Sequence, residues 1–189
     1  MLVFACNRIT VKRNIDQLLA YRPANLTHSF PIIISQDCGH KPTKKVIESY
    51  GDQLLLIEQP DLSDFPLVGK EKKFKGYYKI ARHYKWALSQ LFNVFNYDTV
   101  IIVEDDLDIS PDFYEFFSAL HPILKGDPSL WCISAWNDNG KDALVANDPG
   151  TRLSHYLFRP HPLLLFHSPA SVTQRLFSGL TSFLDWDGC

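Results

Sequence analysis

Three consecutive carboxylates, Glu104, Asp105 and Asp106, follow the apolar run Val100-Ile101-Ile102-Val103. If the chain stays extended there, two of the side chains share one side and the third takes the other, because side chains alternate along a strand. Hard oxygen donors of this kind suit Mg²⁺ or Mn²⁺, which commonly bridge one or two carboxylates to the phosphates of a substrate. Such a cation would neutralise a diphosphate leaving group as it departs. The same run also reads as an acidic turn before a helix, since Ser110-Pro111-Asp112 resembles an N-cap with proline at the first helical position. Other ionisable residues leave a similar choice open. Asp37, before Cys38-Gly39, is a turn residue or a ligand contact; His83, within Ala81-Arg82-His83-Tyr84, is a packed helix residue or a site residue; Arg8 is a solvated charge or a binding group. Trp131 and Trp136 read as core residues, and Asn137-Asp138-Asn139-Gly140 reads as a turn.

Regular elements have to position these groups. Leu2 to Cys6, Pro31 to Ser35, Gln53 to Ile57, Thr99 to Val103 and Leu130 to Ser134 are short apolar runs predicted as strands, several of them buried on both faces. Helical patterns lie between them: Thr10 to Tyr21, with Val11, Ile15, Leu18 and Leu19 on one stripe, then Pro42 to Tyr50, then Tyr77 to Phe95, the longest. The alternation predicts an α/β fold with a parallel, doubly wound sheet, in which ligands collect beyond the carboxyl ends of the strands. Those ends carry Cys6-Asn7-Arg8, Gln36-Asp37-Cys38-Gly39-His40 and Glu104-Asp105-Asp106. From Glu58 to Lys75 the pattern is irregular and long for a connector, which suggests a functional loop.

With 189 residues, 46% hydrophobic and 21% charged, the chain is expected to form one domain with a real core. A net charge of −2 and the lack of any Lys/Arg block argue against nucleic acid or an anionic membrane surface as the main partner. The longest apolar runs, such as Leu54 to Ile57 and Leu163 to Phe166, fall far short of the roughly 20 residues of a spanning helix. A strand-like segment directly after Met1 leaves no room for a cleavable signal, so the expectation is a cytosolic chain or one lacking its targeting segment. Cysteines at 6, 38, 132 and 189 have no CxxC spacing and no zinc-ribbon reading. The sequon Asn25-Leu26-Thr27 says little about compartment.

Taken together, Leu2 to Arg8, Pro31 to His40, Gln59-Pro60-Asp61-Leu62-Ser63, Lys75 to Tyr84, Val103 to Leu107 and Leu130 to Gly140 closely resemble the N-acetylglucosaminyltransferase I family, in the family's order, as far as about Thr151. The related protein O-mannose N-acetylglucosaminyltransferase is similar, but Asp37-Cys38-Gly39-His40 and the Glu-Asp-Asp triplet look more like the former. The resemblance implies a GT-A fold, a Rossmann-like nucleotide-binding sheet. It also implies inverting transfer of N-acetylglucosamine from UDP-N-acetylglucosamine to the α1,3-linked mannose of a high-mannose N-glycan, with Mn²⁺, in the Golgi lumen, by an enzyme that carries a membrane anchor at full length. By position, Asp106 matches the metal ligand, Glu104 and Asp105 match residues near the ribose and donor sugar, and Arg8, Asp37 and His83 match the group around the uracil. A Cys6–Cys38 bridge is expected with it, which an oxidising lumen would preserve.

After about Arg152 the resemblance stops, so residues 1–152 are expected to form the donor-binding domain and 153–189 a poorly ordered non-family tail. No counterpart of the family's Pro-Gly-Leu-Gly-Trp and Trp-Asp-Asp-Trp segments follows, and the catalytic base goes with the latter; Asp185-Trp186-Asp187 is a superficial echo. Leu180 to Cys189 can be encoded so that another reading frame spells Thr-Asp-Phe-Phe-Pro-Gly-Leu-Gly-Trp-Met, as a retained intron and frame shift would leave it. The expectation is a truncated transferase with Cys132 unpaired, marginal stability and little activity. The alternative is a catalytically dead UDP-sugar-binding or regulatory fragment.

Overall fold

The computed structural model describes residues 1–26, 29–130, 132–135 and the backbone of 163–167. Short strands and helices alternate as β1 (Leu2–Ala5), α1 (Val11–Tyr21), β2 (Ile33–Gln36), α2 (Lys41–Glu48), β3 (Leu55–Glu58), α3 (Lys75–Ser89), β4 (Thr99–Glu104), α4 (Phe113–Gly126), β5 (Cys132–Ser134) and β6 (Leu163–His167). The strands form one sheet in the order β3-β2-β1-β4-β6-β5. β1 runs parallel to β2 and β4, and β2 parallel to β3, with Leu2 level with Ile33 on one side and Ile102 on the other. The predicted parallel sheet is present in these four strands. β6 departs from it, running antiparallel to both β4 and β5.

Apolar residues fill both faces of β1, β2 and β4, as central parallel strands require. Val3, Ala5, Ile34, Ile101 and Val103 pack against Val11, Ile15 and Leu18 of α1 and Phe113 and Phe117 of α4. Their alternates Leu2, Phe4, Ile33, Val100 and Ile102 pack against Ala87 and Leu88 of α3 and against Leu91 and Phe92. Residues Gln53 to Ile57 give a strand shifted to Leu55–Glu58, and it lies at the sheet edge with Leu55 45% exposed.

Two helices differ from their sequence pattern. The run predicted as one helix to Phe95 changes pitch after Ser89, where Gln90–Val94 form a π turn that keeps Leu91 and Phe92 on the buried face. α4 begins at Phe113, with Asp112 at its N-cap and Pro111 outside the helix. Ser110 does not cap it: its hydroxyl donates to the Asp112 carboxylate, and a backbone turn from Phe113 N–H to Ser110 C=O (3.1 Å) leads in.

Cys6 and Cys38 form a disulfide with Cα atoms 5.2 Å apart, and Cys132 is a free, half-buried cysteine whose thiol burial pushes up to about 11. Among the described residues no helix is long and apolar enough to cross a membrane. Trp131, Trp136, Asn137 to Gly140, Asp185, Asp187 and Cys189 lie outside the described residues.

The centre and the edge of the sheet should respond differently to truncation. Ile34→Ala, at a fully buried site, is expected to lower stability in urea unfolding by about 2–5 kcal/mol, and Leu55→Ala by under about 1 kcal/mol. Equal losses would contradict the edge assignment of β3.

Candidate functional site

Ionisable residues gather at the carboxyl ends of β1, β2 and β4. Strand β4 stops at Glu104 and a turn follows, closed by Leu107 N–H to Glu104 C=O at 3.4 Å. The alternation that would set two carboxylates on one side therefore does not continue, and the three side chains diverge. Glu104 accepts from the Tyr84 hydroxyl of α3 at 3.0 Å. Asp105, its side chain 11% exposed, accepts from Cys6 N–H at 3.3 Å. Asp106, its side chain 46% exposed, pairs with Arg8, whose guanidinium also lies 3.9 Å from Asp105. Burial raises the pKa of Glu104 and of Asp105, and the hydrogen bond to Asp106 raises that of Arg8.

Helix α1 holds the acidic turn from behind. Asn14 is buried on the apolar stripe beside Val11, Ile15 and Leu18, and its Nδ2 donates to the carbonyls of Glu104 (3.4 Å) and Leu107 (3.1 Å). Gln17 Oε1 accepts from Ile109 N–H at 2.9 Å, one turn further on.

A second group lies at the end of β2. The Ser35 hydroxyl meets His83 Nε2 at 2.8 Å, and the His83 ring stands edge-on to Phe4 with centroids 4.9 Å apart. Burial pushes the His83 pKa down to about 4, against the opposing charge of Asp37. Asp37 is buried, and its Oδ1 accepts from Cys38 N–H at 2.7 Å. Cys38 (φ 68°) and Gly39 (φ 61°) are both left-handed, and a Cβ on Gly39 would stand 3.1 Å from Leu62 Cδ1. The Cys6–Cys38 disulfide joins the two groups, since the amide of one cysteine serves Asp105 and that of the other serves Asp37. The loop after β3 is tied back to α3 by Arg82, which bonds Asp61 (2.9 Å) and the Ser63 carbonyl (2.9 Å), and by Lys75 and Lys79, each 2.6 Å from Asp64.

All six expected ligand-contact residues thus lie at strand ends or on α3, but in two sets. The described contacts of Arg8 are with Asp106 and Asp105, while Asp37 and His83 stand together at β2. Sequence reading passed over Ser35, Tyr84 and Asn14. Ser35 and Asn14 had a signal, each being a polar residue in an apolar pattern; Tyr84, one residue after His83, had none. Asp106, a half-exposed carboxylate oxygen donor, would suit a hard divalent cation. Among the described residues no three His, Cys, Asp or Glu side chains form a metal-holding group.

A parallel sheet that presents its polar groups beyond the ends of β1, β2 and β4 is a Rossmann-like α/β fold consistent with the GT-A arrangement. Residues 1–160 match the GNT-I family, past Arg152, and the chain belongs to that family. It is 38% identical over 151 residues to an alpha-1,3-mannosyl-glycoprotein 2-beta-N-acetylglucosaminyltransferase of Arabidopsis thaliana, a match covering 79% of this chain and 33% of that protein. The chain therefore spans about a third of the length of this curated relative.

Two outcomes test this geometry. Asn14→Ala removes the donor to the turn carbonyls and is expected to cost about 1–3 kcal/mol in urea unfolding; a change within a few tenths would show that the acidic turn stands without α1. For His83 the folded pKa lies below the unfolded value near 6.5, so the unfolded chain binds the extra proton between about pH 6.5 and pH 4. This contribution is fully present above pH 6.5 and is lost as pH falls toward 4, by roughly 3 kcal/mol. The His83→Gln variant should show a correspondingly flatter dependence of stability on pH in that window, and a parallel pair of curves would exclude burial of a neutral His83.

Proposed function

We propose that this chain supplies the donor-binding part of an N-acetylglucosaminyltransferase that takes N-acetylglucosamine from UDP-N-acetylglucosamine and acts on the α1,3-mannose of high-mannose N-glycans in the Golgi lumen. The carrying observation is the half-exposed Asp106, paired with Arg8 at the end of β4 and backed by two more deeply set carboxylates. The name of the Arabidopsis relative supports the reaction class and the acceptor.

Asp37 and His83 are the uracil-side residues in this reading, while Arg8 stands with the acidic turn at Asp106. Uracil offers two carbonyl acceptors and one N–H donor, so a carboxylate and an imidazole held neutral by burial suit it. Glu104 and Asp105 accept hydrogen bonds from hydroxyls of the ribose and donor sugar in this reading, and their orientation is set by Tyr84 and Cys6. Asp106 would hold Mn²⁺, which when bound supplies the positive charge that a departing UDP requires. A divalent ion at Asp106 would take over the neutralisation that Arg8 supplies there. Arg8, its side chain 55% exposed, is then free to leave Asp106 for the nucleotide.

As the 189-residue polypeptide, the chain is expected to bind donor and to transfer little or no sugar, because it carries no counterpart of the Trp-Asp-Asp-Trp base segment. Calorimetry with UDP should show binding strengthened about tenfold or more by Mn²⁺, as a cation that Asp106 would hold implies for a diphosphate ligand. Asp106→Ala should remove that metal dependence; if the dependence persists, Asp106 is not the ligand. Robust transfer to a mannose acceptor would defeat the donor-binding-only reading, whereas absence of UDP binding would defeat the nucleotide reading itself.

A further inference from the structure

Two amide side chains at the strand ends are buried with a polar atom that has no hydrogen-bond partner, Gln36 Oε1 and Gln59 Nε2. A buried polar group left unpaired is destabilising, so each such atom calls for a reason. Gln36 has a structural one: its Nε2 donates to the carbonyls of Cys6 (3.2 Å) and His40 (2.9 Å), lacing the end of β2 to the turn that follows. Gln59 has no comparable anchor for its donor end. The residue is only 5% exposed, yet both N–H bonds of its amide go unused.

Register fixes where Gln59 stands. Ser35 is level with Ile57 and Gln36 with Glu58, and Gln59 N–H donates to Gln36 C=O at 2.8 Å, so the β2–β3 ladder continues one step past the strands. Asp37 likewise extends β2 by bonding Ala5 C=O at 2.9 Å. Gln59 is therefore level with Asp37. Alternation places Asp37 on the face of Ser35, which bonds His83, and Gln59 on the face of Ile57, which packs with Phe4, Ile33 and Leu88. Both faces are the α3 side of the sheet, so Gln59 and Asp37 extend from neighbouring strands on the same face, their backbones about 5 Å apart. The orientation of the Gln59 amide is set from its other end. Gln59 Oε1 accepts from Asp61 N–H at 3.5 Å, and Asp61 is held by Arg82 at 2.9 Å, whose guanidinium in turn lies over the Phe65 ring at 4.8 Å.

We propose that Gln59 is a base-recognising residue of the nucleotide site, donating its side-chain N–H to the C4 carbonyl of the uracil whose imide N–H is accepted by Asp37. The inference rests on the uridine-nucleotide reading above and adds a specificity determinant to it. An acceptor and a donor side by side match the N3–H and adjacent C=O of uracil. Cytosine presents a bare N3 to the carboxylate and an amine on its neighbouring carbon, so the pair rejects it. A site built around buried hydrogen bonds discriminates strongly because the wrong ligand leaves those groups unmatched.

Calorimetry of wild type, Gln59→Met and Gln59→Glu with UDP, CDP, 2-thio-UDP and 4-thio-UDP tests this. Both variants should bind UDP roughly 10- to 100-fold more weakly while CDP changes little, so the UDP-to-CDP preference shrinks. Of the two thio ligands, 4-thio-UDP, its carbonyl oxygen replaced by the weaker acceptor sulfur, should bind wild type several-fold less tightly than UDP, and that penalty should vanish in Gln59→Met. Far-UV circular dichroism and the thermal midpoint show whether the variants are folded. A folded Gln59→Met with the wild-type UDP-to-CDP ratio overturns the proposal. So does a wild type that prefers UDP yet binds 4-thio-UDP as tightly, a comparison needing no variant. A wild type that binds no uridine nucleotide fails one step earlier and takes the uridine reading down as well.

Discussion

Glu104, Asp105 and Asp106 leave the end of a strand buried on both faces, where like charges cannot all be turned toward water. Burial raises the pKa of the first two, which measures the cost of keeping them there as anions. Each carboxylate is met by a different element: Tyr84 from α3, Cys6 N–H from the end of β1, and Arg8 just beyond it. The two carbonyls of the turn are met by Asn14 from α1. Placing β1 directly beside β4 is what brings these donors within reach, so the strand order and the electrostatics of the acidic turn depend on each other.

The Cys6–Cys38 disulfide extends that dependence to β2. It closes a loop with a sequence separation of 32, which in the chain-entropy picture stabilises by about 3–4 kcal/mol. Its local effect is as important for the site. Cys38 sits at φ 68°, a conformation unfavourable for a side chain with a Cβ, and the bridge together with Gly39 keeps the turn in it. Asp37 is oriented by the amide of that same Cys38. The carboxylate and imidazole sides of the pocket are therefore coupled through one covalent link between two neighbouring strands.

Much of this was legible in the sequence for an identifiable reason. β1, β2 and β4 are apolar runs, rich in β-branched residues in β2 and β4, and the apolar stripe of α1 has a clean helical period. The site residues were legible as a set because strand ends in such sheets are where polar groups collect. What was not legible depends on long-range pairing. Leu163-Leu164-Leu165-Phe166 has the composition of a strand or of a helix segment, and only its register with Val100 to Val103 decides. The π turn after Ser89 answers to packing of Leu91 and Phe92 and leaves no local signature. Arg8 was grouped with Asp37 and His83 through family resemblance, whereas its reach to Asp106 depends on β1 and β4 being neighbours.

The antiparallel strand β6 sets an order of events during biosynthesis. β4 has one partner, β1, from far earlier in the chain, and the other, β6, from roughly 60 residues later. At ribosomal rates of about 5–20 residues per second, one edge of β4 waits several seconds before its mate emerges. For that interval a flat, apolar, unpaired row of N–H and C=O groups faces the surroundings, a template for mispairing with another nascent chain. Chaperone cover of that edge at this stage would limit such mispairing.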